Sequence, residues 1–372
     1  MLDWIFLIVG MVLLIKGADY FVDGSSKIAK ALKIPSLIIG LTLVSMGTSA
    51  PELSVSLQAA LVGSNELSFG NVVGSNIFNT FFILGVGSIF IPLVINEDMK
   101  KYDIPIMVLL YGLMLLFGFV ITPYKLDLLE SIIFVVLFVS YIILLIVRAK
   151  KSKQEAEENK DELTIKTIIA SVILGVVGLF AILGKVVIAS IVCALFVIIL
   201  LLKIKKPFSQ INNKLNFIIN IFFSVVGLVA IIGGGTMVVD SASNIAISLG
   251  MSETLVGLTI VAVGTSLPEL VTSVVASIKK ENDIAIGNVI GSNIFNILFI
   301  LGVSSSISNL DISQAKSLGI SESLVDLLVL TLSGILVLII SRFGKNIKKW
   351  QGVIFIVLYV AYIAYIILRE FA

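Results

Sequence analysis

Long apolar runs separated by short polar segments make up most of the chain. Each run holds about 20 residues, enough for a helix to cross a hydrocarbon core of about 30 Å. Strands of a membrane barrel would be about half as long and would alternate in polarity, so the pattern favours helices. We therefore predict five spanning helices towards each end of the chain, near residues 4–22, 36–61, 68–94, 103–122, 127–147, 217–239, 253–278, 285–307, 323–341 and 350–368.

The middle of the chain divides by composition into two further segments. Residues 148–166 mix Lys with Asp and Glu, a composition typical of a solvated linker. The apolar stretch 165–202 is too long for one crossing, and Gly184 with Lys185 offers a turn near its middle. We therefore predict an inserted helical hairpin, which with its connection occupies 167–216 and brings the expected total to about 12 spans.

The two ends of the chain resemble each other without gaps. GTSAPEL and GNVVGSNIFN, within segment 40–86, correspond to GTSLPEL and GNVIGSNIFN, which lie 217 residues later within segment 257–303. The closest matches are polar residues, which duplication alone does not explain. The chain therefore divides into a first repeat over 1–147 and a second repeat over 217–372.

Lys and Arg are distributed unequally between the two faces that these spans define. With the insert as a hairpin, one face collects most of the basic residues, and the other holds only Lys125, Lys185, Lys316 and Arg369. Because cytoplasmic loops carry the excess, we expect the 148–166 linker in the cytoplasm and both termini outside. Five spans per repeat with an even insert leave the repeats inverted. The predicted fold is an all-α integral membrane protein of two inverted five-helix repeats plus an inserted hairpin.

Composition narrows the possible chemistry. Of 372 residues, 58% are hydrophobic and only 13% are charged, which supports the membrane class. The formal net charge of +2 gives no reason to expect nucleic acid. There is no His, and Cys193 is the only cysteine, so zinc and copper lack the clusters they prefer. Any bound metal must accept oxygen ligands, as Na⁺, K⁺, Ca²⁺, Mg²⁺ and Mn²⁺ do.

Each repeated block places one carboxylate, Glu52 or Glu269, within an apolar run. A charge inside a membrane costs about 2.5–3.5 kcal/mol on insertion scales, so its presence indicates function. A structural ion pair is the weaker explanation, because neither block holds a basic residue. Pro51 and Pro268 lack a backbone N–H, so we expect a broken helix at each carboxylate, with free carbonyls that can ligate ions.

The neighbours of each carboxylate supply neutral oxygens. By helical spacing, Thr48 and Ser49 share the face of Glu52, and Ser75 and Asn79 share a face of the following helix. The second repeat supplies the corresponding set, Thr265, Ser266, Ser292 and Asn296. Two carboxylates among hydroxyl, amide and carbonyl oxygens predict a site for hard cations, either one Ca²⁺ or several Na⁺.

Other residues have more ordinary explanations. Asp23 and Asp240 lie at the ends of spans, where caps or interface pairs are expected more often than ligands. Close helix approach is the expected role of the motif glycines, Gly70, Gly74, Gly287 and Gly291. We therefore leave these residues out of the candidate site.

The duplicated GTSxPE and GNxxGSNxFN blocks resemble the alpha-repeats of the sodium/calcium exchanger family, within the wider cation/calcium antiporters. The resemblance covers nearly all of the chain except the linker and the insert. It implies an antiporter that moves Ca²⁺ against Na⁺ by alternating access, with Glu52 and Glu269 as the central shared ligands. It also implies roles for their neighbours: calcium ligation by the carbonyls of Thr48 and Thr265, assistance to sodium sites by Ser49, Ser75, Ser266 and Ser292, and completion of the central site by Asn79 and Asn296. Potassium-dependent relatives have Asp at the position of Asn296, so the resemblance argues against potassium dependence.

These features predict a sodium-driven calcium antiporter of the cell membrane, with Ca²⁺, Na⁺ and lipid as its partners and no cofactor. A proton-coupled divalent cation exchanger of the same fold is the main alternative, because two buried acids can carry protons instead. A cation channel is a lesser alternative, since channels more often build a pore from rings of subunits. Nothing in the sequence resembles a nucleophile with an activating base, so we expect no enzymatic activity.

Overall fold

The structure is a computed structural model, and it describes residues 2–156, 214–250, 262–312, 316–317 and 320–370. This part of the chain is predominantly helical. Its first half contains helices α1 (Leu2–Leu32), α2 (Ser36–Thr48), α3 (Ala50–Leu61), α4 (Asn65–Phe90), α5 (Met99–Ile121) and α6 (Leu128–Ala156). Its second half contains α7 (Lys214–Ser248), α8 (Ala262–Gly264), α9 (Leu267–Ile278), α10 (Asn282–Ile307), α11 (Glu322–Phe343) and α12 (Lys349–Glu370).

Eight of the described helices are long and apolar enough to cross a membrane, and the bent pair of α2 and α3 makes nine if it counts as one span. The all-helical membrane class is therefore confirmed. The predicted span 253–278 is represented by α8 and by α9 with its 12 residues, because 251–261 lie outside the described part. The inserted hairpin over 165–202 also lies outside the described residues, so a total of about 12 spans stays a prediction.

Several helices continue beyond the apolar runs that predicted them. Helix α1 continues to Leu32 and α7 to Ser248, well past the predicted ends at 22 and 239. Helix α6 continues to Ala156, so the first part of the predicted 148–166 linker is helical, and the rest lies outside the described residues. Hydropathy marks the apolar part of a helix and does not register the polar turns that extend it.

Arg148 is not solvated, contrary to the prediction from composition. Its side chain is 8% exposed, and it donates to both carboxylate oxygens of the buried Asp103 on α5, at 2.7 and 3.0 Å. The hydroxyl of Tyr141 donates to the same carboxylate at 3.2 Å. The second repeat builds the same cluster on α11 and α12 from Asp326, Arg369 and Tyr362. In each repeat, one Asp–Arg–Tyr cluster therefore joins the fourth span (α5 or α11) to the fifth (α6 or α12).

Helices α1 and α7 cross in antiparallel orientation through paired glycines. A methyl group added at Gly17 would lie 2.7 Å from the carbonyl oxygen of Gly227, and one added at Gly10 would lie 2.9 Å from that of Gly234. Since only glycine permits such an approach, these positions fix the crossing. The same closeness appears between α10 and α2, where a methyl group at Gly291 would lie 2.8 Å from the Cα of Leu41.

Gly287 also contacts α2, so the predicted close approach is confirmed for the motif glycines of the second repeat. At Gly70 and Gly74, no atom of the described residues lies within 4 Å of an added methyl group.

Helix α10 is buried along the whole of its apolar window and α4 along most of it. The two motif-bearing helices therefore lie at the centre of the bundle.

Two of three short antiparallel strand pairs in the described part join loops of the two halves. In the described part there are six strands, β1 (Leu93–Val94), β2 (Lys125–Leu126), β3 (Leu310–Asp311), β4 (Lys316–Ser317), β5 (Ile320–Ser321) and β6 (Asn346–Ile347). Strand β1 pairs with β6, β2 with β3, and β4 with β5. In the first two pairs, the loop after the third span of one repeat (α4 or α10) pairs with the loop between the fourth and fifth spans of the other repeat (α11 and α12, or α5 and α6).

One end of α1 is tied to the turn between α9 and α10 by ion pairs. The ammonium of Lys279 lies 2.5 Å from a carboxylate oxygen of Asp19 and 2.6 Å from one of Asp23. Lys30 lies 3.2 Å from Glu281 in the same turn. The expectation that Asp23 forms an interface pair is confirmed. We call the contact of Lys279 with Asp19 and Asp23 the Lys279 bridge.

Candidate cation-binding site

Both repeated carboxylates lie in the first turn of a helix that follows a break. One residue, Ser49, separates the end of α2 from the start of α3, and the two helices are bent by 49°. Helix α9 likewise begins shortly after α8. Pro51 and Pro268 occupy the first turns of α3 and α9, where a missing N–H removes no bond within the helix. The breaks thus lie where the prolines predict them, and each places Glu52 or Glu269 near the positive end of a helix dipole.

Each carboxylate is held by a serine of the other repeat. Ser49 donates to Oε1 of Glu269 at 2.7 Å, and Ser266 donates to Oε1 of Glu52 at 2.8 Å. All four side chains are fully buried. Two negative charges in a buried cluster repel each other strongly, because little water is present to screen them. The arrangement is therefore suited to a cation that both carboxylates share.

The cluster contains buried oxygens that have no hydrogen-bond partner among the described residues. They are Oε2 of Glu52, Oε2 of Glu269, Oγ of Ser75, Oδ1 of Asn79, Oγ1 of Thr265 and Oδ1 of Asn296. Buried polar atoms without partners are rare, because each costs about 1–3 kcal/mol. A bound cation would satisfy carboxylate and amide oxygens of this kind. No group of three or more His, Cys, Asp or Glu lies together in the described part, so these two carboxylates and neutral oxygens carry the site.

The remaining predicted residues differ in their surroundings. Ser292 lies 3.5 Å from Oε1 of Glu269, whereas Ser75 lies beside Glu52 and its Oγ has no hydrogen-bond partner among the described residues. Thr48 lies between its own helix and the second repeat, with its hydroxyl 3.1 Å from the carbonyl of Val44. The roles predicted for the carbonyls of Thr48 and Thr265 stay predictions.

Four asparagines of the repeated motif, which were left out of the predicted site, complete its frame. Asn71 donates to the carbonyl of Glu52 at 3.2 Å, and Asn288 donates to that of Glu269 at 3.3 Å. The other two, Asn76 and Asn293, accept hydrogen bonds from the predicted ligands Asn296 and Asn79. All four belong to the duplicated GNxxGSNxFN block, which was the available signal.

Helices α4 and α10 widen at the same point of each repeat. Each contains a π-helical turn, over Phe78–Ile83 in α4 and over Asn296–Leu301 in α10. Such turns are rare and occur frequently at functional sites. Asn79 lies in the first turn and Asn296 opens the second, so both predicted amide ligands lie on irregular backbone.

A cavity of about 470 Å³ lies between α3, α7 and the start of α9. Pro51, Thr265 and Pro268 line it beside the two helix breaks, and Asp240 of α7 lines it as well. Asp240 is exposed, so an acidic side chain lines this cavity at the protein surface. The cavity therefore lies directly beside the helix breaks that carry the carboxylates.

The family model described as "Sodium/calcium exchanger protein" matches residues 2–147 and 219–368, which is most of the chain. The chain belongs to the sodium/calcium exchanger family. This family member is accordingly a multi-pass membrane protein of antiporter type. The stretch between the two matched ranges contains the predicted linker and insert.

Relatives of this sodium/calcium exchanger family member cover most of its length. The sodium/calcium exchanger MaX1 of Methanosarcina acetivorans is 33% identical over 389 aligned positions, with 97% of both chains covered. The inner membrane protein YrbG of Escherichia coli is 31% identical over 302 residues, with 81% of this chain and 79% of YrbG covered. A structure of the sodium-calcium exchanger NCX_Mj matches with a TM-score of 0.75 and 25% identity, with 98% of both chains covered.

Proposed function

We propose that this family member exchanges Ca²⁺ for Na⁺ across the cell membrane by alternating access. The observation that carries the proposal is the pair Glu52 and Glu269, each held by a serine of the other repeat and each with a free buried oxygen. Two negative charges balance one Ca²⁺, and the surrounding neutral oxygens can replace its water. Smaller sets of the same oxygens suit Na⁺, so the two ions compete for shared carboxylates. The names of MaX1 and NCX_Mj point to the same ions.

The proposed ligand set is the predicted one. Glu52 and Glu269 are shared by both ions, and Asn79 and Asn296 complete the central site with the amide oxygens that lack a partner. The other proposed ligands are Thr48, Thr265, Ser49, Ser266, Ser75 and Ser292. Transport by this set needs no covalent chemistry, so we propose neither an enzymatic activity nor a cofactor beyond the transported ions.

Inverted repeats are part of the proposal, and two features support them. The first helices of the repeats, α1 and α7, run antiparallel through Gly17 and Gly227. The strand pairs β1–β6 and β2–β3 join different loops of the two repeats. Loops that hydrogen-bond lie on one face of the membrane, so the loop after the third helix of one repeat lies with the loop after the fourth helix of the other. Inverted repeats produce this combination and parallel repeats do not.

The orientation of the chain follows from its basic residues. The loops joined by β1 and β6, with the adjoining ends of α5 and α11, carry Lys100, Lys101, Arg342 and Lys345, whereas the first-repeat loop that contains β2 carries Lys125 alone. Because cytoplasmic loops hold the excess of Lys and Arg, we propose that the β1–β6 face is cytoplasmic and that both termini lie outside. Probing tags at the termini and in the 148–166 linker from outside intact cells tests this, and an accessible linker would refute it.

Flux in reconstituted vesicles tests the proposed exchange. An imposed Na⁺ gradient should drive Ca²⁺ uptake, and Glu52→Gln or Glu269→Gln should abolish it while the protein stays folded. Glu66→Gln is the matched control, because Glu66 is an exposed acid in the first turn of α4. Normal transport by both site variants would refute the proposal.

The same vesicles separate the alternatives. Ca²⁺ uptake that follows a pH gradient and ignores the Na⁺ gradient would establish the proton-coupled exchanger instead. Single-channel currents in planar bilayers would establish a channel. A requirement for K⁺ would contradict the expectation drawn from Asn296.

A further inference from the structure

The four asparagines at the centre of the bundle bond across the repeats in two pairs. Asn79 donates through Nδ2 to Oδ1 of Asn293 at 3.1 Å, and Asn296 donates through Nδ2 to Oδ1 of Asn76 at 2.9 Å. An asparagine amide has an acceptor at one end and a donor at the other. A cation can bind only the acceptor end, so the orientation of Asn79 and Asn296 decides whether they serve a cation site.

The orientation of Asn79 is fixed by Thr80. The hydroxyl of Thr80 donates its one hydrogen to the carbonyl of Asn76 at 2.8 Å, so its oxygen can only accept from other groups. Asn293 must therefore turn Nδ2 towards Thr80, which it does at 2.9 Å, and Oδ1 towards Asn79. Asn79 must then present Nδ2 to Asn293, and its own Oδ1 is left free.

Tyr111 reinforces this polarity from α5. Its hydroxyl lies 3.3 Å from the Thr80 hydroxyl, and both groups are fully buried. Because the hydrogen of Thr80 is already engaged with Asn76, Tyr111 is the donor in this contact. Thr80 thus accepts from two sides, and no hydrogen of Thr80 is left for Asn293.

The orientation of Asn296 is fixed by a backbone carbonyl. Asn76 donates through Nδ2 to the carbonyl oxygen of Asn293 at 3.1 Å, and a carbonyl can only accept. Asn76 therefore presents Oδ1 to Asn296. Asn296 donates to it through Nδ2, and the Oδ1 of Asn296 stays free. Both chains of bonds end in the same way, with a buried amide oxygen that has no partner among the described residues.

We infer that Thr80, Asn293 and Asn76 are positioning residues that set amide polarity, so that Oδ1 of Asn79 and Oδ1 of Asn296 face the transported cation. The inference rests on the proposed function, because it assigns the two free oxygens to a cation. The repeats differ at its first step: the residue that corresponds to Thr80 in the second repeat is Ile297. Among the described residues, Thr80 is the hydroxyl that accepts from Asn293, and through Asn293 it sets the polarity of Asn79.

Replacing the Thr80 hydroxyl tests the inference. In Thr80→Val the acceptor is gone, Asn293 can turn over, and Asn79 can present its NH₂ group to the cation. The apparent KM for Ca²⁺ should rise roughly tenfold or more with a smaller change in maximal rate, and the preference for Ca²⁺ over Na⁺ should fall. Thr80→Ser restores the hydroxyl and should return the KM to within about twofold of the wild type.

Thr331→Val is the matched control. The hydroxyl of Thr331 donates to the carbonyl four residues earlier at 2.7 Å, as that of Thr80 does, but no side chain of the described residues bonds to it. This variant should leave the KM for Ca²⁺ unchanged. If Thr80→Val fails to fold, Thr80→Ala removes the same hydroxyl with less crowding and should raise the KM equally. An unchanged KM in the folded Thr80 variant, or an equal rise in Thr331→Val, would overturn the inference.

Calcium binding separates this inference from the proposed function. Calorimetry on wild type and Thr80 variants in detergent measures the Ca²⁺ dissociation constant without any transport. If the wild type binds Ca²⁺ but does not exchange it, the proposed function fails, and the same rise in the dissociation constant still supports the positioning role. Equal dissociation constants in wild type and Thr80→Val would reject the positioning role even where exchange is intact.

Discussion

Ser266 donates a hydrogen bond of 2.8 Å to Oε1 of Glu52, a residue of the other repeat. The corresponding serine of the first repeat, Ser49, donates in the same way to Glu269. The position of each carboxylate therefore depends on how the two repeats lie against each other. A movement between the repeats would change both halves of the site together, as alternating access requires.

Removing one of these serine hydroxyls should weaken cation binding without unfolding the protein. In Ser266→Ala, Oε1 of Glu52 loses its donor, and the carboxylate is no longer held in one rotamer. We expect the apparent affinity for the transported cations to fall about ten- to hundredfold, because one hydrogen bond to a charged group is worth about 1.5–3 kcal/mol and each 1.4 kcal/mol is tenfold. Flux titrations measure the change. Ser306→Ala is the control, because Ser306 is exposed and within the described part of the chain its hydroxyl bonds to its own helix alone, at 2.6 Å. Equal affinities in both variants would contradict the prediction.

The α1–α7 crossing should tolerate no side chain at its glycines. A methyl group at Gly17 would lie 2.7 Å from the backbone of Gly227, which cannot move away as a flexible side chain would. We expect Gly17→Ala to lower the free energy of unfolding by about 1–3 kcal/mol, measured by thermal or denaturant unfolding in detergent. The matched control is Gly233→Ala on the exposed face of α7, where no described atom lies within 4 Å of the added methyl. A Gly17 variant as stable as this control would show that the helices separate freely.

The sequence was sufficient to predict the spanning helices in the described part of the chain and insufficient to predict their ends. An apolar run of about 20 residues in a chain of this composition has few alternatives to a spanning helix. The polar turns of α1 beyond residue 22 include Lys27 and Lys30, which continue the helix outside the apolar region. Arg148 was assigned to a solvated linker because composition alone cannot show that Asp103, 45 positions away, pairs with it.

Helical spacing predicted those residues of the candidate site that share a face of one helix. Spacing placed Ser75 and Asn79 on one face of a helix, and the duplication pointed to their counterparts. Asn76 and Asn293 were missed because their partners lie 220 and 214 positions away, and no periodicity within one helix reports such pairs. The polarity of an amide depends on those partners and therefore follows from the folded structure alone.

The Asp103–Arg148 pair should be essential to the stability of the α5–α6 contact. Asp103 is fully buried, and the single hydrogen bond from Tyr141 cannot balance its charge. Arg148→Met therefore leaves a buried carboxylate without a counter-charge, and we expect unfolding to become easier by about 3–5 kcal/mol. Thermal unfolding in detergent measures this, with the exposed Arg342→Met as control. Adding Asp103→Asn should recover part of the loss; a further drop would show that the two residues do not act as a pair.

The Lys279 bridge joins α1 to the turn after α9 through a basic residue that the first repeat does not have at the corresponding position. Burial opposes the charge of Lys279, but hydrogen bonds to Asp19 and Asp23 outweigh it and raise the pKa of Lys279 above its ordinary value. The bridge is therefore complete below the ordinary lysine pKa of about 10.4 and is lost only as the pH rises through the raised pKa. We expect it to be present at every physiological pH.

The residues that correspond to this bridge in the opposite repeat carry no positive charge. The position of Lys279 is taken by Val62, which is 77% exposed, and that of Asp19 by Thr236. Asp240 occupies the position of Asp23, and together with Thr236 it lines the cavity of about 470 Å³. The end with the bridge is thus joined by ion pairs, whereas the corresponding end has no such pair at these positions and carries the cavity.

Neutralising Lys279 should make the end of the bundle that carries the Lys279 bridge more accessible. In a Cys193→Ser background, a cysteine at Val271, which corresponds to the cavity-lining Ser54, reports on that end. We expect Lys279→Gln to raise the labelling rate at position 271 several-fold with a polar thiol reagent in detergent, because removing the ammonium leaves Asp19 and Asp23 to repel each other. A cysteine at position 54 should label more slowly in the same variant, since opening one end by alternating access closes the other.

Lys280→Gln is the control for this experiment, because it removes the same charge from the same turn at an exposed side chain. It should leave both labelling rates unchanged. Equal rates in Lys279→Gln and the wild type would show that the bridge does not hold this end closed. A rise at both positions would instead indicate general loosening of the bundle, because alternating access requires the two ends to change in opposite directions.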